Sequence, residues 1–234
     1  MSAPEPHKAS AHARRQAQKV ALFGGSFDPI HLGHMAVASA AQRRFHLDEV
    51  HFIPCGRPPH KHRHDIVPFP HRYAMVTLAC AGHQHFLPSL AEAGTDLCGR
   101  QVFYSIDTVR HFRQVYGRHG DSLYFILGAD SFLEIPTWKE YEALLGSCDF
   151  IVASRPGFRM DALLLVIPPE LLSRTPALGP RAIALRQSTV HLLDAVTSPV
   201  SATEVRRRAH RRQSIHGLVP SSVEEYISKQ ALYR

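Results

Sequence analysis

The hydrophobic positions change period repeatedly along the chain. Val20-Ala21-Leu22-Phe23 is a short continuous apolar run stopped by Gly24-Gly25, the pattern of a strand buried on both faces. From Gly33 to Phe45 the sequence turns helical and rich in alanine, and Glu49–Pro54 (EVHFIP) returns to strand character. A Pro- and His-rich loop over 55–70 leads to a helix over Arg72–Ala81, and Phe86–Leu90 reads as a short strand. Ile106, Val109, Phe112 and Val115 mark Ser105–Tyr116 as a helix by their spacing. The pattern then predicts a strand at Leu123–Leu127, a helix at Trp138–Leu145, a strand at Phe150–Ala153 and a last strand at Val190–Leu193. Residues 158–188, with several prolines and a leucine-rich stretch, fit neither period. Two helices close the sequence. Ser222-Val223-Glu224-Glu225 reads as a capping box at the start of the second.

Strand and helix in alternation imply an α/β fold, a parallel sheet with helices on both faces. Ligands in such sheets bind beyond the carboxyl ends of the strands, so the loop after the first strand is the first place to look for chemistry. Residues 1–19 are polar, with two early prolines, and read as a flexible N-terminal tail; Glu5 and the shortness of the segment argue against a transit peptide. Residues 20–234 then form one domain. No run of about 18 apolar residues is present, so no membrane span is expected.

Composition narrows the partners. The formal net charge is +7, with 17 histidines besides, which favours anionic ligands such as nucleotides, nucleic acid or acidic membrane surfaces. The four cysteines are scattered and contain no C-x-x-C pair, consistent with reduced thiols and a cytoplasmic location. His60, His62, His64 and His71 invite a metal reading, but the surrounding prolines argue for a loop, and no acidic or Cys partner has a fixed spacing.

The loop after the first strand reads Gly24-Gly25-Ser26-Phe27-Asp28-Pro29-Ile30-His31-Leu32-Gly33-His34. It is neither a dinucleotide fingerprint nor a P-loop. Its glycines allow close backbone approach, and His31 and His34 straddle a helix start where partial positive charge suits a phosphate. Ser201 and Thr203 stand at the start of a later helix, with Arg206 one turn on as a forked cation. Arg207 and Arg208 read first as a basic helix face.

The string GGSFDPIHLGH resembles the signature of the nucleotidyltransferases with an (H/T)-x-G-H motif, and in detail that of the nicotinate-nucleotide adenylyltransferases. The resemblance continues in order through PPHK (Pro58 to Lys61), YSIDT (Tyr104 to Thr108), LGAD (Leu127 to Asp130), PTW (Pro136 to Trp138), RPG (Arg155 to Gly157) and SATEVR (Ser201 to Arg206). The final Gln230-Ala231-Leu232-Tyr233-Arg234 also looks familial. Ser105 stands where the family has Thr, Phe103 where it has Ser, and residues 158–188 are longer than the family pattern.

The resemblance implies a Rossmann-like nucleotidyltransferase fold and the joining of ATP to nicotinate mononucleotide, with release of pyrophosphate. It implies ATP contacts from Gly24, Gly25, Ser26, Phe27, His31, His34, Ser201, Thr203 and Arg206. His34 would meet the α-phosphate, His31 the phosphate chain, and Lys61 would be a mobile cation. Tyr104, Ser105, Gly128, Asp130, Trp138 and Arg155 would hold the nicotinate nucleotide, Trp138 by stacking on the pyridine ring. Mg2+ is expected to ride on the phosphates, with no protein side chain as its ligand. No nucleic-acid or membrane partner is implied, and a homo-oligomer is left open. Three other readings stand beside this one: a nicotinamide-mononucleotide or pantetheine-phosphate adenylyltransferase, a basic nucleic-acid-binding protein, and an inactive scaffold of the same fold.

Overall fold

A computed structural model describes residues 17–56, 66–94, 103–117, 120–154, 157–176, 179–194 and 199–234. Among them seven strands form one sheet: β1 (Lys19–Gly25), β2 (Glu49–Pro54), β3 (Phe86–Pro88), β4 (Ser122–Gly128), β5 (Asp149–Ala153), β6 (Ala182–Ala184) and β7 (Thr189–Leu193). The order across the sheet is β3-β2-β1-β4-β5-β7-β6. Every neighbouring pair is parallel except β6 with β7. That antiparallel edge lies in the stretch whose sequence fits neither period. The chain builds outward from β1 in one direction and from β4 in the other. The topological switch point, and the crevice it opens, therefore falls between β1 and β4.

Both faces of the sheet are covered, which explains the continuous apolar strands. Ala21 and Phe23 of β1 pack towards α1 (Leu32–Phe45), α2 (Phe69–Cys80), α7 (Ala202–His210) and α8 (Ser221–Lys229). Val20 and Leu22 point the other way, towards α3 (Ser105–Tyr116), α4 (Ala129–Leu133), α5 (Tyr141–Leu145) and α6 (Asp161–Leu164). Val20, Ala21 and Leu22 are fully buried. Each side chain of Val, Leu or Phe size removed from water in this way contributes about 1.5–3 kcal/mol. Cys80 and Cys148 serve as small buried hydrophobes; burial pushes their thiols up, that of Cys80 to about 12. Among the described residues no helix is long and apolar enough to cross a membrane.

Three local expectations are corrected. Order begins before residue 20: Lys19 belongs to β1, and the Gln18 N–H donates to Asp121 Oδ1 at 2.7 Å. The stretch from Trp138 is not one helix. A 3-10 turn at Ile135–Thr137 delivers Trp138 in extended conformation, and α5 starts only after Glu140, whose φ is +51°. The capping box at Ser222 does not form. The Ser222 hydroxyl donates to the Leu78 carbonyl of α2 at 3.3 Å, and Glu225 pairs with Lys229 at 2.6 Å. Here a contact between helices replaces the local one.

Candidate active site

Two cavities meet at the carboxyl ends of β1 and β4. One, of about 500 Å³, is lined by Glu92, Tyr104, Ser105 and Trp138 among others; the second, of about 610 Å³, by His31, Gly33, His34, Asp130 and Ser154. Gly24, Gly25, Ser26, Gly128 and Ser131 line both. Each volume is within the usual range of about 300–1,000 Å³ for ligand sites. The shared floor has almost no side-chain bulk, so ligands in the two cavities can approach each other over the glycines.

The second cavity is built on the start of α1. His31 is the N-cap, in extended conformation, and its N–H donates to Nδ1 of His34 at 3.2 Å. The two imidazoles stack, with centroids 3.7 Å apart and planes inclined by 27°. Burial pulls the pKa of His31 down to about 4; burial, then the charge of His31, pulls that of His34 well below the usual range. Both are therefore neutral near pH 7. Because Nδ1 of His34 accepts, the neutral ring carries its proton on Nε2 and offers a donor there. Nδ1 of His31 is buried and has no hydrogen-bond partner among the described residues.

Phe27 was expected among the ATP contacts, but its ring lines neither cavity. It is buried, at φ +45°, against Phe23 and Phe52, and its ring meets that of His34 edge-on at 5.0 Å. It backs the histidine and leaves the cavity wall to its neighbours.

Arg206 reaches this loop from α7. Its Nη1 donates to the Asp28 carbonyl at 2.7 Å, and its Nη2 to Thr203 Oγ1 at 3.4 Å. Arg207 and Arg208 instead close on Glu204, at 2.7–2.8 Å, and those hydrogen bonds hold the Glu204 carboxyl down at about 2. Ser201 is the N-cap of α7; its Oγ accepts the Glu204 N–H at 3.2 Å. Val200 lines the second cavity directly, whereas Ser201, Thr203 and Arg206 stand beside it. Lys61 and Arg155 lie outside the described residues.

The first cavity is walled by the start of α3. Tyr104 is the N-cap, and its carbonyl takes the N–H groups of Asp107 and Thr108, which leaves the Ser105 end of the helix facing the cavity. Trp138 stands opposite, edge-on to Phe125 at 6.4 Å. The Lys139 ammonium lies 4.5 Å over the Tyr104 ring and 3.1 Å from Asp107.

Two buried charges here were not among the sequence candidates. Glu92 accepts from Thr108 Oγ1 at 2.8 Å and from the Gly56 N–H at 3.3 Å; burial raises its pKa against those hydrogen bonds. Arg72, only 1% exposed, donates to the carbonyls of Ser26, Gly56 and Val67 at 2.8–3.1 Å, tying the loop after β1 to that after β2. Gly56 lies between these charges with no room for a side chain: a Cβ would come 2.5 Å from the Glu92 carbonyl. A signal for Arg72 was present in the sequence. It shares the buried face of α2 with Met75, Val76 and Ala79, at i+3, i+4 and i+7. Glu92, flanked by alanines, had none.

The chain is similar to known proteins over most of its length. A cytidylyltransferase-like family model matches residues 22–208. A Moorella thermoacetica protein named "Probable nicotinate-nucleotide adenylyltransferase" is 40% identical over 217 residues, covering 92% of each chain. A Geobacter sulfurreducens protein of the same name is 39% identical over 219 residues, covering 92% of this chain and 98% of its own. Among solved structures, the nicotinic acid mononucleotide adenylyltransferase of Plasmodium falciparum, complexed with NaAD, superposes with a TM-score of 0.67 at 19% identity. That match covers 92% of this chain and 97% of the other, and it shows the shared fold. The chain belongs to the cytidylyltransferase-like family and, within it, to the nicotinate-nucleotide adenylyltransferases.

Proposed function

We propose that the protein transfers the adenylyl group of ATP to nicotinate mononucleotide, giving deamido-NAD and pyrophosphate. The observation that carries this reading is the pair of cavities joined over Gly24 and Gly25. One has the neutral histidine pair of a phosphate site, and the other a helix start facing an aromatic wall. ATP would occupy the histidine side and the pyridine nucleotide the Trp138 side.

The chemistry asks little of the side chains beyond placement. An oxygen of the acceptor's 5′-phosphate attacks the α-phosphorus of ATP; a new P–O bond forms while the bond from the α-phosphorus to the bridging oxygen breaks, and pyrophosphate departs. The attacking oxygen is already an anion, so no general base is required. The Nε2–H of His34 donates to the α-phosphate, and the start of α1 supplies further partial positive charge. Arg206 lies beside the loop as a forked cation, suited to the β and γ oxygens. Lys61 would add a second cation.

ATP is taken to arrive with its Mg2+. Among the described residues there is no group of three His, Cys, Asp or Glu side chains that could hold a metal ion. Carried on the phosphates, the ion would neutralise part of the triphosphate charge.

The first cavity also fits an acid in place of a neutral amide. Ser105 lines it at the N-terminal end of α3, where helix-start donors suit an acidic ring substituent better than a neutral amide. Pyrophosphate release from MgATP should be rapid with nicotinate mononucleotide and slow with nicotinamide mononucleotide or phosphopantetheine. Fastest release with phosphopantetheine would assign the chain to a different acceptor.

A further inference from the structure

Residues 231–234 follow α8 and reach back to the loop after β1. Ala231 and Tyr233 have φ of +50° and +63°, a left-handed region that costs a non-glycine residue energy, so other contacts must hold the segment there. The Leu232 N–H bonds the Ile227 carbonyl at 3.1 Å, and Leu232 and Tyr233 pack on the core beneath α1 and α8. The Tyr233 hydroxyl donates to Oδ1 of Asp28 at 2.7 Å, across 205 residues of sequence.

Asp28 is only 1% exposed and lies three residues before His31. Its Oδ1 also accepts the Val67 N–H at 3.3 Å, while Oδ2 has no hydrogen-bond partner among the described residues and lies 3.9 Å from Arg206 Nη1. The backbone carbonyl of the same residue is what aims Arg206, at 2.7 Å. That carbonyl makes the shortest contact to the guanidinium; Thr203 Oγ1 at 3.4 Å and the Asp28 carboxylate at 3.9 Å are longer. The direction of the guanidinium depends on how firmly Asp28 is fixed, and the Tyr233 bond is the shorter of the two made by the Asp28 side chain. Burial and the nearby Asp28 carboxylate push the Tyr233 pKa upward, which keeps the hydroxyl protonated and donating.

We propose that Tyr233 is a positioning residue for ATP: through Asp28 it fixes the carbonyl that aims Arg206. The inference rests on the placing of ATP at the histidine side. Tyr233 would touch no substrate. Its influence would pass along the chain Tyr233 hydroxyl, Asp28, Arg206, so it should appear in ATP binding and not in acceptor binding.

The test is Tyr233→Phe, which removes one oxygen and keeps the ring. Binding of an α,β-methylene analogue of ATP with Mg2+ is measured by calorimetry, beside KM for both substrates and Tm. With Asp28 and Arg206 less firmly placed before the ligand arrives, the cost of ordering them should weaken analogue binding about tenfold. KM for nicotinate mononucleotide should stay within about twofold, and Arg234→Ala should match wild type. In an Arg206→Ala background, Tyr233→Phe should add almost nothing, because the group it aims is gone. Unchanged analogue binding, an equal rise in both KM values, or full additivity with Arg206→Ala would overturn the proposal. If the wild type binds the analogue but turns over no pyridine mononucleotide, the functional reading fails, while the binding comparison still decides the role of Tyr233.

Discussion

The imidazole of His34 lies 3.7 Å from that of His31, and its Nδ1 is occupied by the His31 backbone N–H. One histidine therefore fixes the tautomer of the other and limits the charge both can carry. His34→Ala removes the Nε2 donor together with the acceptor of the His31 N–H, while the start of α1 keeps its backbone bonds from His34 and Met35 to the His31 carbonyl. Turnover should fall about a hundredfold, as for loss of one preorganised transition-state donor. Tm should change by only a few degrees. Turnover within a few-fold of wild type would remove His34 from the machinery.

The same burial gives a pH dependence of stability. His31 has a pKa of about 4 in the folded chain and about 6.5 when unfolded. Between those values the unfolded chain binds a proton that the folded chain refuses. Its contribution is thus fully present above pH 6.5 and is lost as pH falls towards 4, with His34 acting in the same direction. Urea unfolding at intervals from pH 4.5 to 7.5 should show stability rising with pH, and His31→Asn should flatten that rise. An unchanged slope in the variant would mean that other groups carry it.

The three consecutive arginines should separate by function. Arg206 bonds the active-site loop, whereas Arg207 and Arg208 are consumed by Glu204. Arg206→Ala should raise KM for MgATP at least tenfold, and Arg207→Ala or Arg208→Ala less than twofold. Three equal losses would point to a diffuse basic face.

Arg72→Leu should destabilise the fold by about 3 kcal/mol or more, because the carbonyls of Ser26, Gly56 and Val67 lose their buried donors together. Arg72→Lys should recover only part of this, since an ammonium cannot reproduce the planar fork. Chemical denaturation of the three proteins checks both statements; a neutral Arg72→Leu would show that water can replace the guanidinium.

Legibility in the sequence followed the range of the interactions. β2 and α3 run over the residues that hydrophobic period alone assigns, because their patterns are local and strong. Trp138 was legible as a residue but not as a conformation, since the turn before it and the positive φ of Glu140 leave no periodic mark. The motif after β1 indicated where ligands gather. It did not reveal that Phe27 faces inward, which depends on the positive φ of that residue, nor that Asp28 links Tyr233 to Arg206, contacts that span 205 and 178 residues. Arg72 could have been read from its place on an apolar helix face; Glu92 could not.

Selection of the acceptor tests the whole account most directly. An acidic ring substituent can accept from the donors at Tyr104 and Ser105, while an amide would set its own NH₂ against some of them, at a cost of about 1–3 kcal/mol for each buried group left unpaired. Two such mismatches give a preference of roughly a hundredfold. The deciding measurement is kcat/KM for nicotinate and nicotinamide mononucleotide at saturating MgATP. A ratio of about a hundred or more in favour of the acid is expected. A ratio near one, or a preference for the amide, would contradict it.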